Sequence, residues 1–340
     1  MRFEVEEKTL HFKQPAGTSR GVYTTRKIWL VYLYDGNRYG VGECAPLPDL
    51  SCDAMGDERY SSILNNVCSK LCTEGEIDFD YLRDYPSMLF GLETAMLSLK
   101  SSHPGILFDT PFSRGEAGIT INGLVWMGNY EEMLQRLEEK LEKGFRCVKL
   151  KIGAIDFDKE LDLIKRIRSR FSFHEVELRL DANGAFPYGD ALYKLELLSQ
   201  YNIHSIEQPI RQGQWAYMAE LCRESPLPIA LDEELIGVND PEMKCHMLSM
   251  IKPRYIILKP SLHGGMLGCK EWVDIARDLG IGSWITSALE SNIGLNAIAQ
   301  FASDVYGTSP MPQGLGTGQL FTDNIPMPLE IRGDKLWICR

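Results

Sequence analysis

The sequence lacks any run of basic residues. Its 47 Asp and Glu residues outnumber its 36 Lys and Arg residues, which gives a net charge of −11 and a pI near 5.2. Proteins that bind nucleic acids present clustered positive charge, so this composition argues against a nucleic-acid partner. A hydrophobic fraction of 44% and a charged fraction of 24% are ordinary for a soluble globular protein.

Long apolar runs are also missing. No stretch approaches the roughly 20 residues that a membrane-spanning helix requires. Residues 1–8 are charged and lack the apolar segment of a secretory signal peptide. We therefore expect a cytoplasmic protein that has no membrane partner.

Zinc-type patterns of cysteine and histidine are absent too. The nine cysteines contain no Cys-x-x-Cys pair, and the six histidines form no ligand cluster. Cys68 and Cys72 lie four residues apart on a predicted helix, where packing is the simpler interpretation. Scattered cysteines in such a chain are typical of reduced cytosolic thiols.

What the sequence does contain is a series of short apolar runs that each end in a charged residue. Between residues 145 and 260 the runs end, in order, at Lys151, Asp181, Glu207, Asp232 and Lys259. The intervals are 30, 26, 25 and 27 residues, about the length of one strand and one crossover helix. This period predicts a (β/α)₈ barrel.

Alternation along these strands predicts which side chains face the barrel interior. Val148 and Leu150 share one face of their strand, and Lys149 and Lys151 share the other. The charged side chains would point inward at the C-terminal rim, where barrel enzymes place their catalytic groups. A single charged strand end is more simply a solvated terminus, but five of them at a barrel period favour a functional site.

The elements on either side of this region complete the predicted fold. Strands at 1–12, 25–34 and 38–44, followed by helices at 57–73 and 86–101, indicate an α+β unit over residues 1–112. The barrel occupies 116–320, and its predicted strands are 118–123, 146–152, 176–181, 203–207, 228–232, 254–259, 282–287 and 311–315. A hairpin at 327–339 is expected to rejoin the N-terminal unit, which residues 321–340 would complete. The glycine-rich segment 14–23 is either a mobile lid or a plain surface hairpin. The predicted fold class is α/β, a modified TIM (β/α)₇₋₈ barrel with an α+β N-terminal capping domain.

Three neighbouring strands of the predicted barrel end in carboxylates. Asp181, Glu207 and Asp232 would converge and repel one another unless a cation neutralises them. Oxygen ligands with open positions for substrate suit Mg²⁺, with Mn²⁺ as a substitute. Asn183 and Glu234 share the strand parity of these residues, so each is a further ligand or supports one. Glu233 is expected to point away.

Lysines flank this predicted metal site. Lys149 and Lys151 lie on the second strand and Lys259 lies on the sixth, across the barrel mouth. A metal with flanking lysines suits removal of a proton α to a carboxylate. We expect Lys149, the metal and burial to lower the pKa of Lys151. Residue chemistry alone leaves two activities open, because opposed lysines serve a racemase and a lyase equally well.

The arrangement resembles the enolase superfamily, in the muconate lactonizing enzyme-like subgroup with Lys-x-Lys on the second barrel strand. The matching motifs are Lys149-Leu-Lys151, Asp181-Ala-Asn183, Glu207-Gln-Pro209, Leu231-Asp-Glu233 and Leu258-Lys-Pro260. Within that subgroup the chain is similar to the o-succinylbenzoate synthases of menaquinone biosynthesis. The segments that carry this likeness are 18–21, 40–48, 258–265, 287–291 and 314–321.

The resemblance implies a hydro-lyase that acts on a small carboxylate, 2-succinyl-6-hydroxy-2,4-cyclohexadiene-1-carboxylate. Lys151 would abstract the proton and Lys259 would stabilise the anionic intermediate, partly as a cation over a π system. Lys149, Ser287, Gly314, Gly316 and Arg20 would contact the substrate, with Arg20 on the lid. Asp181, Glu207 and Asp232 would bind Mg²⁺.

Rival activities exist within the same subgroup. Dipeptide epimerases carry an Asp-x-Asp motif near the last barrel strand, and this chain has none at residues 287–289 or 314–316. N-acylamino acid racemases share both lysines and stay open as an alternative. A non-catalytic binding module predicts damage to the ligand set or the lysines, and all of them are intact.

Overall fold

The structure is a computed structural model, and it describes residues 1–18, 21–103, 105–126, 128–307 and 311–339. The N-terminal part is an antiparallel sheet covered by helices. Its three strands are β1 (Arg2–Thr18), β2 (Gly21–Asp35) and β3 (Arg38–Cys44), in the order β1-β2-β3. Its helices are α1 (Asp57–Glu74), α2 (Phe79–Leu82) and α3 (Pro86–Lys100).

Helix α3 packs closely on strand β3 because both carry glycine at the contact. A Cβ atom on Gly42 would lie 1.8 Å from the carbonyl oxygen of Gly91, so no larger residue fits there. Most of α3 is buried, as its continuous apolar sequence predicts. The helix thus lies between the N-terminal sheet and the rest of the molecule.

Within the described residues, seven parallel strands form one curled sheet. They are β5 (Gly123–Val125), β6 (Cys147–Lys151), β7 (Glu177–Asp181), β8 (Ser205–Glu207), β9 (Ile229–Leu231), β10 (Tyr255–Leu258) and β11 (Gly282–Ile285), and they are hydrogen-bonded in chain order. The helices that cover the sheet are α4 (Tyr130–Glu142), α5 (Phe157–Arg170), α6 (Tyr188–Ser199), α7 (Trp215–Glu224), α8 (Pro241–Ile251), α9 (Gly265–Asp278) and α10 (Asn292–Tyr306). Val148, Leu150 and Leu180 are buried in the core between sheet and helices. The predicted barrel period is confirmed.

Residues 313 and 314 join the two edges of this sheet. Gln313 forms a parallel bridge with Ile121, next to β5, and Gly314 forms one with Thr286, next to β11. The predicted strand at 311–315 is therefore reduced to two bridges. Pro312 has no amide hydrogen to donate, and the glycines that follow weaken a regular strand.

The predicted first barrel strand, 118–123, was wrong in its limits. Its apolar run is shared between two sheets: β4 (Ile119–Thr120) pairs antiparallel with β13 (Lys335–Ile338), and the parallel strand begins at Gly123. Residues 121 and 122 turn the chain between them, through hydrogen bonds from their amides to Asp334 and Gln313.

The C-terminal hairpin consists of β12 (Leu329–Arg332) and β13, and the sheet order is β12-β13-β4. Among the described strands the hairpin therefore pairs with β4 and with none of the N-terminal sheet, and its expected place in the N-terminal unit stays a prediction. The contact with β1 comes instead from residues 320–323, where the Lys13 amide donates to the Leu320 carbonyl at 2.8 Å. No helix in the described ranges has the length and apolarity needed to cross a membrane.

Candidate active site

Strand β6 brings two lysines to the C-terminal rim of the sheet. The register sets Lys151 beside Asp181 on β7, and Asp181 beside Glu207 on β8. The three side chains therefore lie side by side on adjacent strands. Lys149, two residues earlier on the same face, reaches the same carboxylates.

The lysines of β6 contact these carboxylates directly. The Nζ atom of Lys149 lies 2.9 Å from a carboxylate oxygen of Asp181 and 2.9 Å from one of Glu207. The Nζ atom of Lys151 lies 3.0 Å from the same oxygen of Asp181 and donates to Oδ1 of Asn183 at 2.7 Å. Asp181 thus holds both ammonium groups.

Lys259 reaches the site from a strand on the opposite side of the barrel mouth. It follows β10, which is separated from β6 by β7, β8 and β9. Its Nζ atom donates to the carboxylate of Asp232, which follows β9 and is fully buried. Lysines from both sides therefore face the same group of acids.

The pKa values in the site reflect these contacts. Burial opposes the charge of Lys149, but the carboxylates of Asp181, Glu207 and Asp232 outweigh it and raise the pKa of Lys149. Lys259 follows the same pattern: burial acts against its charge, and Asp232 and Glu207 raise its pKa.

The carboxylates respond unequally. Burial acts to raise the pKa of Asp181, but Lys149 and Lys151 hold it below its usual range. Burial, together with the charge of Asp181, raises the pKa of Glu207 to about 8 although Lys149 acts against it. The ammonium groups therefore do not offset the effects of burial and mutual repulsion for every carboxylate in the site.

The expected orientations of Glu233 and Glu234 were reversed. Glu233 lines the pocket and accepts a hydrogen bond from the Asn183 amide at 2.9 Å. Glu234 turns away and accepts from the Gln208 side chain and the Gly213 amide. Strand β9 ends at Leu231 and a 3₁₀ turn occupies Glu233–Leu235, so the two-residue alternation of a strand no longer applies there.

The donor set fits a hard divalent cation in chemical type. Oε1 of Glu207 and Oδ1 of Asp232 are buried and have no hydrogen-bond partner among the described residues. Oxygens of this kind are the ligands that Mg²⁺ prefers. In the described part of the chain, no three Asp, Glu, His or Cys side chains are grouped closely enough to hold an ion as they stand. The positive charge beside these acids comes from Lys149 and Lys259.

A pocket opens above the lysines, between the barrel rim and the N-terminal unit. Its lining includes three residues predicted to contact substrate, namely Ser287, Gly314 and Gly316. The Ser287 hydroxyl lies 2.6 Å from that of Thr317. Arg20, the remaining predicted substrate contact besides the lysines, lies outside the described residues.

Several lining residues were not among the site residues predicted from the sequence. They are mostly apolar or neutral, namely Tyr23, Leu47, Leu50, Asn122, Leu124, Trp126, Thr286, Ala288, Leu289 and Thr317. The ring centre of Trp126 is 5.9 Å from the Nζ atom of Lys151. For the lining residues within 122–126, the signal that could have been used is their strand position at the rim beside β6.

Comparison with protein families identifies both parts of the chain. Residues 132–338 match the family model described as enolase C-terminal domain-like, and residues 18–99 match the one described as MenC, N-terminal domain. An o-succinylbenzoate synthase from Desulfotalea psychrophila is 45% identical, with 99% of each chain covered. An L-Ala-D/L-Glu epimerase from Bacillus subtilis is 25% identical, with 89% of this chain and 84% of the relative covered.

Solved structures show the same relationship. The crystal structure of MenC from Desulfotalea psychrophila LSv54 matches with a TM-score of 0.86 and 41% identity, covering 99% of each chain. A muconate lactonizing enzyme from Pseudomonas fluorescens shares the fold, with a TM-score of 0.81 and 20% identity over 100% of this chain and 94% of its own. This chain belongs to the o-succinylbenzoate synthase family of the enolase superfamily.

Proposed function

We propose that this chain catalyses the o-succinylbenzoate synthase reaction of menaquinone biosynthesis. In that reaction 2-succinyl-6-hydroxy-2,4-cyclohexadiene-1-carboxylate loses water and becomes 2-succinylbenzoate. One observation carries the proposal. Lys151 and Lys259 reach one pocket from strands on opposite sides of the barrel mouth, with acidic side chains between them. The enzyme is a carbon–oxygen hydro-lyase.

Lys151 is the proposed base. Its amine takes the proton from the ring carbon that bears the carboxylate, and the electrons of that C–H bond form a ring double bond. The C–O bond on the neighbouring carbon breaks, and the hydroxyl group leaves as water after taking the proton from the Lys151 ammonium group. The hydrogen bond from Lys151 to Asn183 orients the amine toward the pocket.

The other two lysines have proposed electrostatic roles. Lys149 helps to hold the ring carboxylate, and Lys259 stabilises the negative charge that develops on the ring. The charges of Lys149 and Lys259 interact strongly with a bound anion because the site is largely enclosed. The side chain of each is only 13% exposed.

Asp181, Glu207 and Asp232 are the proposed ligands of Mg²⁺, which members of the superfamily bind, and Mn²⁺ is proposed as a substitute. When bound there, a divalent cation supplies Lewis-acid stabilisation of the substrate carboxylate. Glu207 and Asp232 each have a buried oxygen that finds no hydrogen-bond partner in the described part of the chain, which supports this assignment.

Ser287, Gly314 and Gly316 are proposed to contact the substrate, and Arg20 is proposed to act from the lid. We also propose the division into a capping domain, residues 1–112 with about 321–340, and a barrel domain, residues 116–320. The contacts of residues 320–323 with β1 support it. A cytoplasmic location and the lack of a nucleic-acid partner are proposed from the acidic composition, and the lack of a membrane partner is proposed because the sequence has no long apolar run.

Racemisation of N-acylamino acids is the second candidate, because lysines on both sides of the pocket would also serve proton transfer on two faces. Dipeptide epimerisation is a weaker alternative, since residues 287–289 and 314–316 contain no Asp-x-Asp motif. The test is a spectrophotometric assay of cyclohexadiene loss with Mg²⁺ and with a chelator, run beside polarimetry on an N-acetyl amino acid. We expect Mg²⁺-dependent dehydration that is faster than racemisation. Racemisation without dehydration would overturn the proposal.

A further inference from the structure

The buried side chain of Arg26 connects the N-terminal unit to the rim of the barrel. Arg26 on β2 is 2% exposed. Its guanidinium donates to the carbonyls of Ala45, at 2.5 Å, and of Pro46, both in the N-terminal unit. It also donates to the carbonyls of Leu289, at 3.2 Å, and Ala288, at 3.4 Å, which follow β11.

The barrel residues that Arg26 holds are part of the pocket wall. Residues 286–289 all line the pocket that contains Lys151 and Lys259. Leu47, next to Pro46, lines it from the N-terminal side. Arg26 is not itself among the lining residues, so it lies behind the wall and joins the wall's two halves.

The held segment needs support because its backbone is strained. Leu289 has a φ of +65°, a left-handed conformation that is rare for a residue with a bulky side chain. Neighbouring contacts fix the same turn, since the carboxylate of Glu290 accepts from the Ala288 amide at 2.7 Å and from the Ser261 hydroxyl. The carbonyl of Leu289 is held by Arg26.

The geometry points to Arg26 as a positioning residue that sets the width of the substrate pocket through the backbone of residues 288 and 289. The contact that Arg26 makes between the two units then determines how tightly the substrate binds, although Arg26 touches neither the substrate nor the reacting atoms. In naming the substrate, this inference rests on the proposed dehydration.

The molecule offers a matched control at a second contact between the two units. Arg83 of the N-terminal unit pairs with Glu271 of α9 at 2.8 Å and 3.0 Å. Neither residue lines the pocket. When Arg83 is replaced, Glu271 keeps Lys244 as a partner at 2.7 Å, so no buried charge is left alone.

The experiment compares Arg26→Lys, Arg26→Ala and Arg83→Ala with the wild type by dehydration kinetics. It also follows amide hydrogen exchange in residues 286–291. Arg26→Lys retains one charge but cannot reach four carbonyls. We expect it to raise KM at least about tenfold, to change kcat less than threefold, and to speed exchange in that segment. Arg26→Ala, if it folds, should raise KM and speed amide exchange more than Arg26→Lys does. Arg83→Ala should leave both at wild-type values.

An unchanged KM and unchanged exchange in Arg26→Lys would overturn the inference. So would an equal rise in Arg83→Ala, which would show a general effect of loosened docking. A wild type that does not dehydrate the substrate refutes the proposed function instead. In that case the exchange measurement, which needs no substrate, still decides whether Arg26 holds the wall.

Discussion

The side-chain amide of Asn183 donates a hydrogen bond of 2.9 Å to the carboxylate of Glu233, although the two residues are 50 positions apart. This contact holds Glu233 inside the pocket. The second oxygen of Glu233 is buried and has no hydrogen-bond partner among the described residues. Glu233 is therefore a fourth acid beside the three proposed metal ligands.

Two isosteric substitutions distinguish the acid that binds the metal from the one that does not. We expect Asp232→Asn to raise the Mg²⁺ concentration for half-maximal activity at least about tenfold, because an amide oxygen lacks the charge of a carboxylate. Glu233→Gln should change it less than threefold. Metal titration of activity measures both, with Asp274→Asn on the surface of α9 as the control. The opposite ranking would make Glu233 the third ligand in place of Asp232.

Lys259→Ala tests the proposed electrostatic role. The kcat for dehydration should fall by about 10²–10³, the effect of losing one group that stabilises a developing charge. The free energy of unfolding should also fall, by about 3–5 kcal/mol, because buried Asp232 loses its ammonium partner. Kinetics and urea unfolding measure the two effects, and exposed Lys270→Ala serves as the control. A kcat within threefold of the wild type would rule out the assigned role.

Glu93 predicts a pH dependence of stability. Its buried carboxylate accepts from the amides of Met266, at 2.6 Å, and Leu267, at 2.9 Å, at the start of α9. Burial raises its pKa from 4.5 to about 8, although these amides act against the shift. Between those values the folded protein retains a proton that the unfolded chain has released, so the contribution of Glu93 to stability falls as pH rises.

Glu93→Gln removes this titration. From pH 5 to pH 8 its free energy of unfolding should increase relative to that of the wild type, by on the order of 3 kcal/mol, because only the wild type loses stability over this range. Urea unfolding at both pH values measures the change, and Glu196→Gln on the exposed face of α6 should show none. A constant difference between Glu93→Gln and wild type over this range would mean that Glu93 is already ionised at pH 5.

Gly314→Ala tests the fit of the pocket wall. A Cβ atom there would lie 2.1 Å from Oγ1 of Thr286, so one strand end must move. We expect a loss of about 1–3 kcal/mol in the free energy of unfolding and a higher KM. Gly189→Ala is the matched control, since no atom of the described residues outside its own stretch of helix lies within 4 Å of its Cβ position. Equal behaviour of the two variants in both assays would show that the wall tolerates the added carbon.

Much of the barrel and of the candidate site could be predicted because both follow from strand periodicity. A charge that ends a buried run at a regular interval has to reach the rim, which predicts the neighbouring positions of Lys151, Asp181 and Glu207. The orientation of Glu233 could not be predicted, since it depends on the turn that follows Leu231. That turn breaks the alternation of side chains.

Other features depend on contacts that no local pattern contains. Tyr23 and Leu50 line the pocket because the N-terminal unit docks on the barrel, and such residues look like ordinary core or surface positions in the sequence. The split of residues 118–123 between two sheets depends on a partner strand more than 200 residues away, at Lys335–Ile338. Sequence periodicity carries no information about such long-range pairing.

The most direct test of the account is the dehydration rate of Lys151→Ala beside that of the wild type, at saturating Mg²⁺ and with exposed Lys165→Ala as the control. If Lys151 removes the proton, the wild type and the control form 2-succinylbenzoate at equal rates. Lys151→Ala is then slower by about 10²–10⁴ while its free energy of unfolding shows that it is folded. A folded Lys151→Ala enzyme that dehydrates the cyclohexadiene within tenfold of the wild-type rate would contradict the central claim.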